Sequence, residues 1–279
     1  MVQEGPKTSI LKKTINFCSE RPFTAVISYI LVVSVIFLIF PGLDIWASNI
    51  FYDGNGNFPV SRDPFWYNVR YFGVYIFKWV AALALLVMLF KLALPKLKAV
   101  MDLRHPIFVI SSLALGSGLV VNTFFKNMWG RPRPRSTDIF GGDSPFIGVW
   151  HPTNYCDSNC SFVSGEASAA IWLMTLVFIA PKAWRLPLGI PIGLLVFVLS
   201  ANRVAYGGHY LSDTLLSWGI TMLVIIAIYH YLYQRTPAWA QPDNLDASFT
   251  KAGIWLHVKI GTAACWCIRN IKGFIHRFR

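Results

Sequence analysis

Apolar residues run almost unbroken over 23–41, 74–94, 107–125, 167–181, 187–202 and 213–233, and polar or charged residues bound each run. Crossing a bilayer takes about 20 mostly apolar residues, fewer where helix ends are buried in protein. The pattern therefore predicts six membrane spans. The fourth and fifth are short and meet at Pro181, Lys182, Arg185 and Pro187, which mark a tight connection. Lipid cannot satisfy backbone polar groups, so spans at this spacing are helices. The expected fold is all-α, a six-transmembrane-helix bundle. Residues 1–22 form a cytoplasmic N-terminal flank, 23–235 the membrane domain and 236–279 a basic tail. In the tail, Leu256, Ile260, Ala263, Cys267, Ile271, Phe274 and Phe278 recur at three- and four-residue spacing. This predicts a C-terminal amphipathic helix lying on the inner leaflet or packing on the bundle.

Composition agrees with a lipid environment. Of 279 residues 55% are hydrophobic and only 14% charged, where a soluble domain carries about a quarter charged. The net charge of +12 is unevenly spread, which argues for membrane asymmetry and against nucleic acid as a partner. Lys7, Lys12, Lys13 and Arg21 precede the first span; Lys91, Lys96, Lys98 and Arg104 lie between the second and third. Lys182 and Arg185 separate the fourth and fifth, and Lys251, Lys259, Arg269, Lys272, Arg277 and Arg279 populate the tail. All four segments fall on one side, which is assigned to the cytoplasm, with both termini there. Asp44, Asp53 and Asp63 fall in the first outer loop, among aromatics (Trp46, Phe51, Tyr52, Phe65, Trp66, Tyr67) expected to form an interfacial belt or wall a lipid access cleft. No cleaved signal peptide is expected, since the first apolar run is too long for one. Cys156 and Cys160, four residues apart in a polar loop, read equally as a disulfide or two thiols, and no zinc-ligand spacing accompanies them.

One outer loop breaks the charge rule. It carries Lys126, Arg131, Arg133 and Arg135 where positive charge is disfavoured, and so asks for a local reason. Two further polar clusters end on the same side: Ser161 to Glu166, and Arg203 through His209 to Asp213. Arg133 and Arg203 can each fork two N–H groups onto phosphate oxygens, and Lys126 adds a third positive charge. Ser164 and Gly165 stand where a helix begins, so backbone N–H groups and the helix dipole face an anion there. Pro132 and Pro134 stiffen the loop that presents the arginines. His209 precedes Asp213 by one helical turn, so the carboxylate is expected to hold one imidazole nitrogen and leave the other to attack. Such a clamp supplies the charge stabilisation a metal ion would, and neither metal nor cofactor is expected.

Lys126-x6-Arg133-Pro134, then Ser164-Gly165, then Arg203-x5-His209-x3-Asp213 resembles the three-part signature of the type 2 phosphatidic acid phosphatase superfamily. That family groups membrane lipid phosphatases with vanadium haloperoxidases and bacterial acid phosphatases. The match covers residues 126–213 by motif and the six-span frame by topology. The resemblance implies a PAP2/vanadium haloperoxidase-like core and a phosphohistidine on His209, oriented by Asp213. It also implies phosphate binding by Lys126, Arg133, Ser164, Gly165 and Arg203. The implied partner is a phosphorylated lipid in the bilayer. Arg131 and Arg135 are either head-group contacts or solvated loop charges.

The second motif departs from the family's usual Pro-Ser-Gly-His, reading Val163-Ser164-Gly165-Glu166. Glu166 can replace the histidine as proton donor if a low-dielectric site raises its pKa, or it can pair with one of the loop arginines. Ser-Gly-Glu-Ala-Ser resembles the lipid A phosphatase branch. Because an anomeric hydroxyl leaves more easily than a simple alcohol, the 1-phosphate is the first expectation and the 4′-phosphate the second. Undecaprenyl diphosphate and phosphatidylglycerophosphate are alternative substrates, and a lipid-to-lipid phosphotransferase uses the same intermediate. A transporter is disfavoured, because the charges sit at one face and no repeat is visible. Asp138, Asp143, His151 and Asp157 read as ordinary loop residues, while Tyr155 and Trp150 could pack on a sugar or acyl chain. The expected site faces the periplasm from a bacterial inner membrane.

Overall fold

The computed structural model describes Phe17 and residues 20–276; Lys7, Lys12, Lys13, Cys18, Arg277, Phe278 and Arg279 lie outside the described residues, as do the side chains of Cys265, Cys267, Arg269, Ile271, Lys272 and Phe274. Among the described residues there is no β-strand. The helices are α1 (Pro22–Ile39), α2 (Gly42–Asn49), α3 (Pro64–Ala93), α4 (Arg104–Met128), α5 (Gly165–Ile179), α6 (Lys182–Ala205), α7 (Leu211–Gln234) and α8 (Pro242–His276). Five of them (α1, α3, α4, α6 and α7) are long and apolar enough to cross a membrane.

The fourth predicted span, α5, is shorter than the others. It breaks at Leu173 and ends before Pro181, whose ring cannot continue a helix. Its first half is buried from Gly165 to Trp172 except at Glu166 and Ala169, so protein rather than lipid surrounds it. The second span is longer than its apolar run. Helix α3 begins at Pro64, ten residues before the predicted start, so Phe65, Trp66, Tyr67 and Arg70 are helical rather than loop. Within α4, residues Leu113–Phe125 form a run of π-helix.

The chain divides into two compact units. The first comprises Met1–Trp79 and Ser111–His230. Here α7 packs against α1, α4 and α5, and α5 packs against α6. Val33, Phe37, Val121, Phe162, Val163 and Leu216 form an apolar core. Small polar residues bind the helices where they approach: Ser168 Oγ lies 2.7 Å from both Ser117 Oγ and Thr221 Oγ1, and Ser217 Oγ donates to the Ser164 carbonyl at 2.6 Å. Such pairs act as interhelical glue where no water competes. Trp150 belongs to this interior rather than to a ligand surface. Its ring meets Phe125, Trp129 and Phe162, and its Nε1 donates to Ser34 Oγ at 2.8 Å.

The second unit comprises Val80–Ile110 and Tyr231–Arg279. Lys91, counted above among the charges on the cytoplasmic side, is 3% exposed and donates to the Leu97 carbonyl at 2.7 Å, with Asp246 at 2.9 Å. It therefore ties the end of α3 to the start of α8. The predicted amphipathic tail helix begins earlier than expected, at Pro242, and exposes Ile254, Trp255, Val258 and Ile260.

Candidate active site

The Arg131-Pro132-Arg133-Pro134-Arg135 stretch follows α4 and delivers its three arginines to three environments. Arg131 is fully buried. Its Nη2 contacts Asp44 Oδ2 at 2.8 Å, its Nη1 contacts Asp213 Oδ1 at 2.6 Å, and its Nε donates to the Ile147 carbonyl at 2.9 Å. The guanidinium lies 4.2 Å from the centre of the Tyr210 ring. Neither expectation for Arg131 survives: it is neither a head-group contact nor a solvated charge. Burial opposes its charge, but Asp213 and Asp44 together raise its pKa above the ordinary arginine value. Asp44, read as an outer-loop acid, sits in α2 with 1% exposure and also accepts from the Ser212 N–H at 2.8 Å.

His209 is 1% exposed and lies in the turn between α6 and α7. Its Nδ1 is 2.7 Å from the Ser161 carbonyl and 4.0 Å from Asp213 Oδ2. A carbonyl only accepts, so the hydrogen-bond pattern assigns the proton to Nδ1 and the lone pair to Nε2. The direct His209–Asp213 bond expected from one-turn spacing is not formed. Helix α7 starts at Leu211, so His209 precedes it, and Asp213 is the third helical residue. There Asp213 Oδ2 caps the helix, accepting from the Tyr210 N–H at 2.9 Å and from Ser161 Oγ at 2.5 Å. Asp213 thus reaches the imidazole through Ser161, whose hydroxyl it holds and whose carbonyl orients the ring. Burial first, then the charges of Arg203, Lys126 and Arg133, keep the His209 pKa well below the usual 6.5. The ring is therefore neutral at physiological pH.

Cations surround this imidazole in excess. Arg203, near the end of α6, is 4% exposed, and its Nε and Nη1 have no hydrogen-bond partner. A buried guanidinium with unpaired donors can direct them at an anion. Gly208 allows its approach, since a Cβ there would stand 2.6 Å from Arg203 Nη2. Lys126 Nζ donates to Asn159 Oδ1 at 3.2 Å. Arg133 Nη2 donates to the same Oδ1 at 2.8 Å and to the Asn159 carbonyl at 2.7 Å. Ser164 caps α5, its Oγ accepting from the Ala167 N–H at 3.3 Å. The Ser164 N–H itself is spent on the Asp213 carbonyl at 3.2 Å, so only Gly165 and Glu166 keep the free N–H groups of a first helical turn. Glycine at 165 leaves room for two polar side chains, since a Cβ would fall 2.5 Å from Asn122 Oδ1 and 3.2 Å from Lys126 Nζ.

Among the described residues, Glu166 is the carboxylate that pairs with this group, through Arg70 and Arg203. Arg70 of α3 forks onto it, with Nε 3.0 Å from both carboxylate oxygens and Nη2 2.6 Å from Oε1. Arg203 Nε adds a contact at 3.5 Å. Two guanidiniums favour the ionised carboxylate, which has no proton to give. In this arrangement Glu166 sets the arginines, and its expected role as acid is not what the geometry supports.

The structure therefore brings Lys126, Arg133, Ser164, Gly165, Glu166, Arg203, His209 and Asp213 to one place, leaves Arg135 exposed beside them and seals Arg131 away. Asp138, Asp143, His151 and Asp157 remain exposed loop residues. Cys156 and Cys160 form a disulfide that closes the loop carrying Asn159. Sequence reasoning missed Arg70, Asp44, Ser161 and Asn159 as site residues. Arg70 had a signal, since an ionisable residue inside a membrane helix is functional by default. The signal was lost when α3 was started too late.

The family model of the PAP2 superfamily matches residues 107–237. A lipid A 4′-phosphatase of Rhizobium leguminosarum is 34% identical over 213 residues, covering 69% of this chain and 88% of its own length. One from Francisella tularensis subsp. novicida is 32% identical over 204 residues, covering 72% and 91%. A third, from Rhizobium etli, is 43% identical over 119 residues, covering 43% and 46%. No solved structure matches.

Proposed function

The chain belongs to the PAP2 superfamily, and on that premise we propose that this membrane phosphatase removes the 4′-phosphate of lipid A on the periplasmic face of a bacterial inner membrane. A phosphoric monoester hydrolase acting on a membrane lipid accords with the family, the relatives and the apolar helices. The position is the finer step. Leaving-group chemistry favoured the 1-phosphate, but the two relatives aligned over most of their length are named for the 4′ position, and that reverses the preference.

The observation that carries the reading is a neutral buried His209 among Lys126, Arg133 and a buried Arg203 with idle donors. A phosphate seated on these cations and on the Gly165 and Glu166 N–H groups has its negative charge met before reaction. His209 Nε2 attacks phosphorus, the P–N bond forms and the P–O bond to the sugar breaks. Positive charge growing on the ring is stabilised by the Nδ1–H bond to the Ser161 carbonyl, whose residue is held by Asp213. The departing 4′ oxygen takes its proton from water, since Glu166 is held as carboxylate. Water then cleaves the P–N bond, releasing phosphate and restoring His209. The Cys156–Cys160 disulfide, in the loop that faces the clamp, fits an oxidising compartment.

The test is phosphate release by purified protein in EDTA from lipid A, undecaprenyl diphosphate and phosphatidylglycerophosphate. Mass analysis of the lipid A product identifies the position lost. Release from lipid A at the 4′ position is expected, with His209→Ala silent but folded. Turnover by His209→Ala overturns the mechanism; preference for a sugar-free lipid or for the 1-phosphate overturns the substrate reading.

A further inference from the structure

Next to the clamp lies a polar cleft of about 430 Å³, bordered by Arg133, Arg135, Ser136, Ser144, Tyr155 and Asn159. We propose that this cleft binds the saccharide that carries the scissile phosphate, and that Arg135 and Tyr155 make the enzyme selective for glycolipid over sugar-free lipid phosphates. The inference rests on the glycolipid reading above and deepens it.

Three observations converge. The cleft shares Arg133 and Asn159 with the phosphate clamp, so a group seated there is joined to the phosphate without a gap. Its walls are held from both sides. The Arg135 N–H donates to the Gly207 carbonyl at 3.1 Å, which ties this wall to the turn bearing His209. Ser144 N–H donates to the Ser136 carbonyl at 3.0 Å, and the opposite wall is the loop closed by the Cys156–Cys160 disulfide. Finally, the lining has the chemistry of a sugar site. Three serine hydroxyls (Ser136, Ser144 and Ser158) can exchange hydrogen bonds with ring hydroxyls. Tyr155, 54% exposed, offers an aromatic face with a polar tip. Arg135 is exposed, and its side chain forms no hydrogen bond or ion pair among the described residues, so its donors face the cleft unspent. The volume falls in the range of small-molecule sites, while the polar lining excludes an acyl chain.

The proposal is tested with Arg135→Gln and Tyr155→Ala. Lipid A turnover gives kcat and KM, and vanadate inhibition in the same assay reads the clamp alone. A sugar site predicts a rise in KM for lipid A of ~10-fold, the weight of one good polar contact, with the vanadate inhibition constant changed less than ~2-fold. Unchanged KM, or equal losses for lipid A and vanadate, overturns it. Should the wild-type enzyme turn over only a sugar-free lipid phosphate, the glycolipid reading has failed and the cleft is tested separately. A soluble phosphorylated glucosamine disaccharide must then inhibit that turnover, and the two variants must relieve the inhibition; no inhibition of the wild type overturns the cleft as well.

Discussion

Two groups of arginines and carboxylates lie near His209, and they are charged in opposite senses. In one, a single cation (Arg131) serves two carboxylates (Asp44 and Asp213), and every partner is within 3.0 Å. In the other, four cations (Arg70, Lys126, Arg133 and Arg203) have Glu166 as their acid among the described residues, and Arg203 Nη1 has no partner. The first is a closed lock and the second an open one. A buried cluster whose charges are all paired fixes structure, whereas a surplus of cations beside the proposed nucleophile can seat an anion. Motif membership does not tell the two apart. Arg131 and Arg133 are two residues apart, and solvent access with the count of acids in reach separates their roles.

Breaking the closed group gives the largest effect. Arg131→Ala leaves Asp44 and Asp213 buried without their counter-ion, a loss of about 3–5 kcal/mol. Thermal unfolding in detergent should show the variant destabilised or absent, with activity lost for that reason. A variant of wild-type stability would mean that Arg131 is not the lock.

Breaking the open group acts on chemistry instead. Arg203→Gln removes a donor aimed at the charge developing on phosphate, which costs about 10²–10³ in kcat/KM. Thermal stability should hold or rise, because like charges around the clamp are relieved. A loss of stability matching that of Arg131→Ala would erase the distinction between the two groups.

Glu166 sharpens the comparison from the acid side. As an anchor for Arg70 and Arg203, its change to Gln loosens both arginines, and turnover should fall by about 10-fold or more on good and poor leaving groups alike. An acid would show otherwise, with p-nitrophenyl phosphate spared and the lipid substrate lost. That second pattern would restore Glu166 as proton donor.

How much of this was legible in the sequence depended on whether the signal was local. The residues proposed for the clamp were legible as short motifs: Arg133 lies between two prolines, Ser164 caps a helix beside Gly165, and Lys126 and Arg203 fall in the last turns of their helices. Helix class followed from the apolar runs, yet lengths did not: α3 begins among aromatics and an arginine that a hydropathy scan reads as loop, and α5 is buried by protein rather than lipid. Partners far apart in the chain left no local trace. Asp44 is 87 residues from Arg131, and Arg70 is 96 from Glu166. The one-turn rule failed at His209 because it presumes a helix that has not yet begun there.

Acidity tests how far the open group reaches into the ring. Its depressed pKa keeps His209 neutral, so the acid limb of kcat/KM should lie below pH 6.5. Arg133→Gln removes one depressing charge and moves that limb upward, towards 6.5, by less than about one pH unit. The substrate phosphate also titrates near pH 6, but it is common to both enzymes, so their difference isolates the ring. A limb that stays put or moves down would show that Arg133 does not act on His209.

The smallest expected effect concerns what fills the open group when no phosphate is bound. Asn159 turns its carbonyl and Oδ1 onto Arg133 and its Oδ1 onto Lys126, from a left-handed backbone (φ 52°) inside the disulfide loop. Its oxygens lie on the same donors a phosphate would use, so an incoming anion must displace them. Asn159 is exposed, where exchanging a neutral acceptor for water is worth only about 0.5–1 kcal/mol. Asn159→Ala should therefore tighten vanadate inhibition by roughly two- to five-fold at unchanged kcat. Weaker inhibition would give Asn159 the opposite role, holding Lys126 and Arg133 in place for the phosphate, and the clamp would then be as tightly built as the lock.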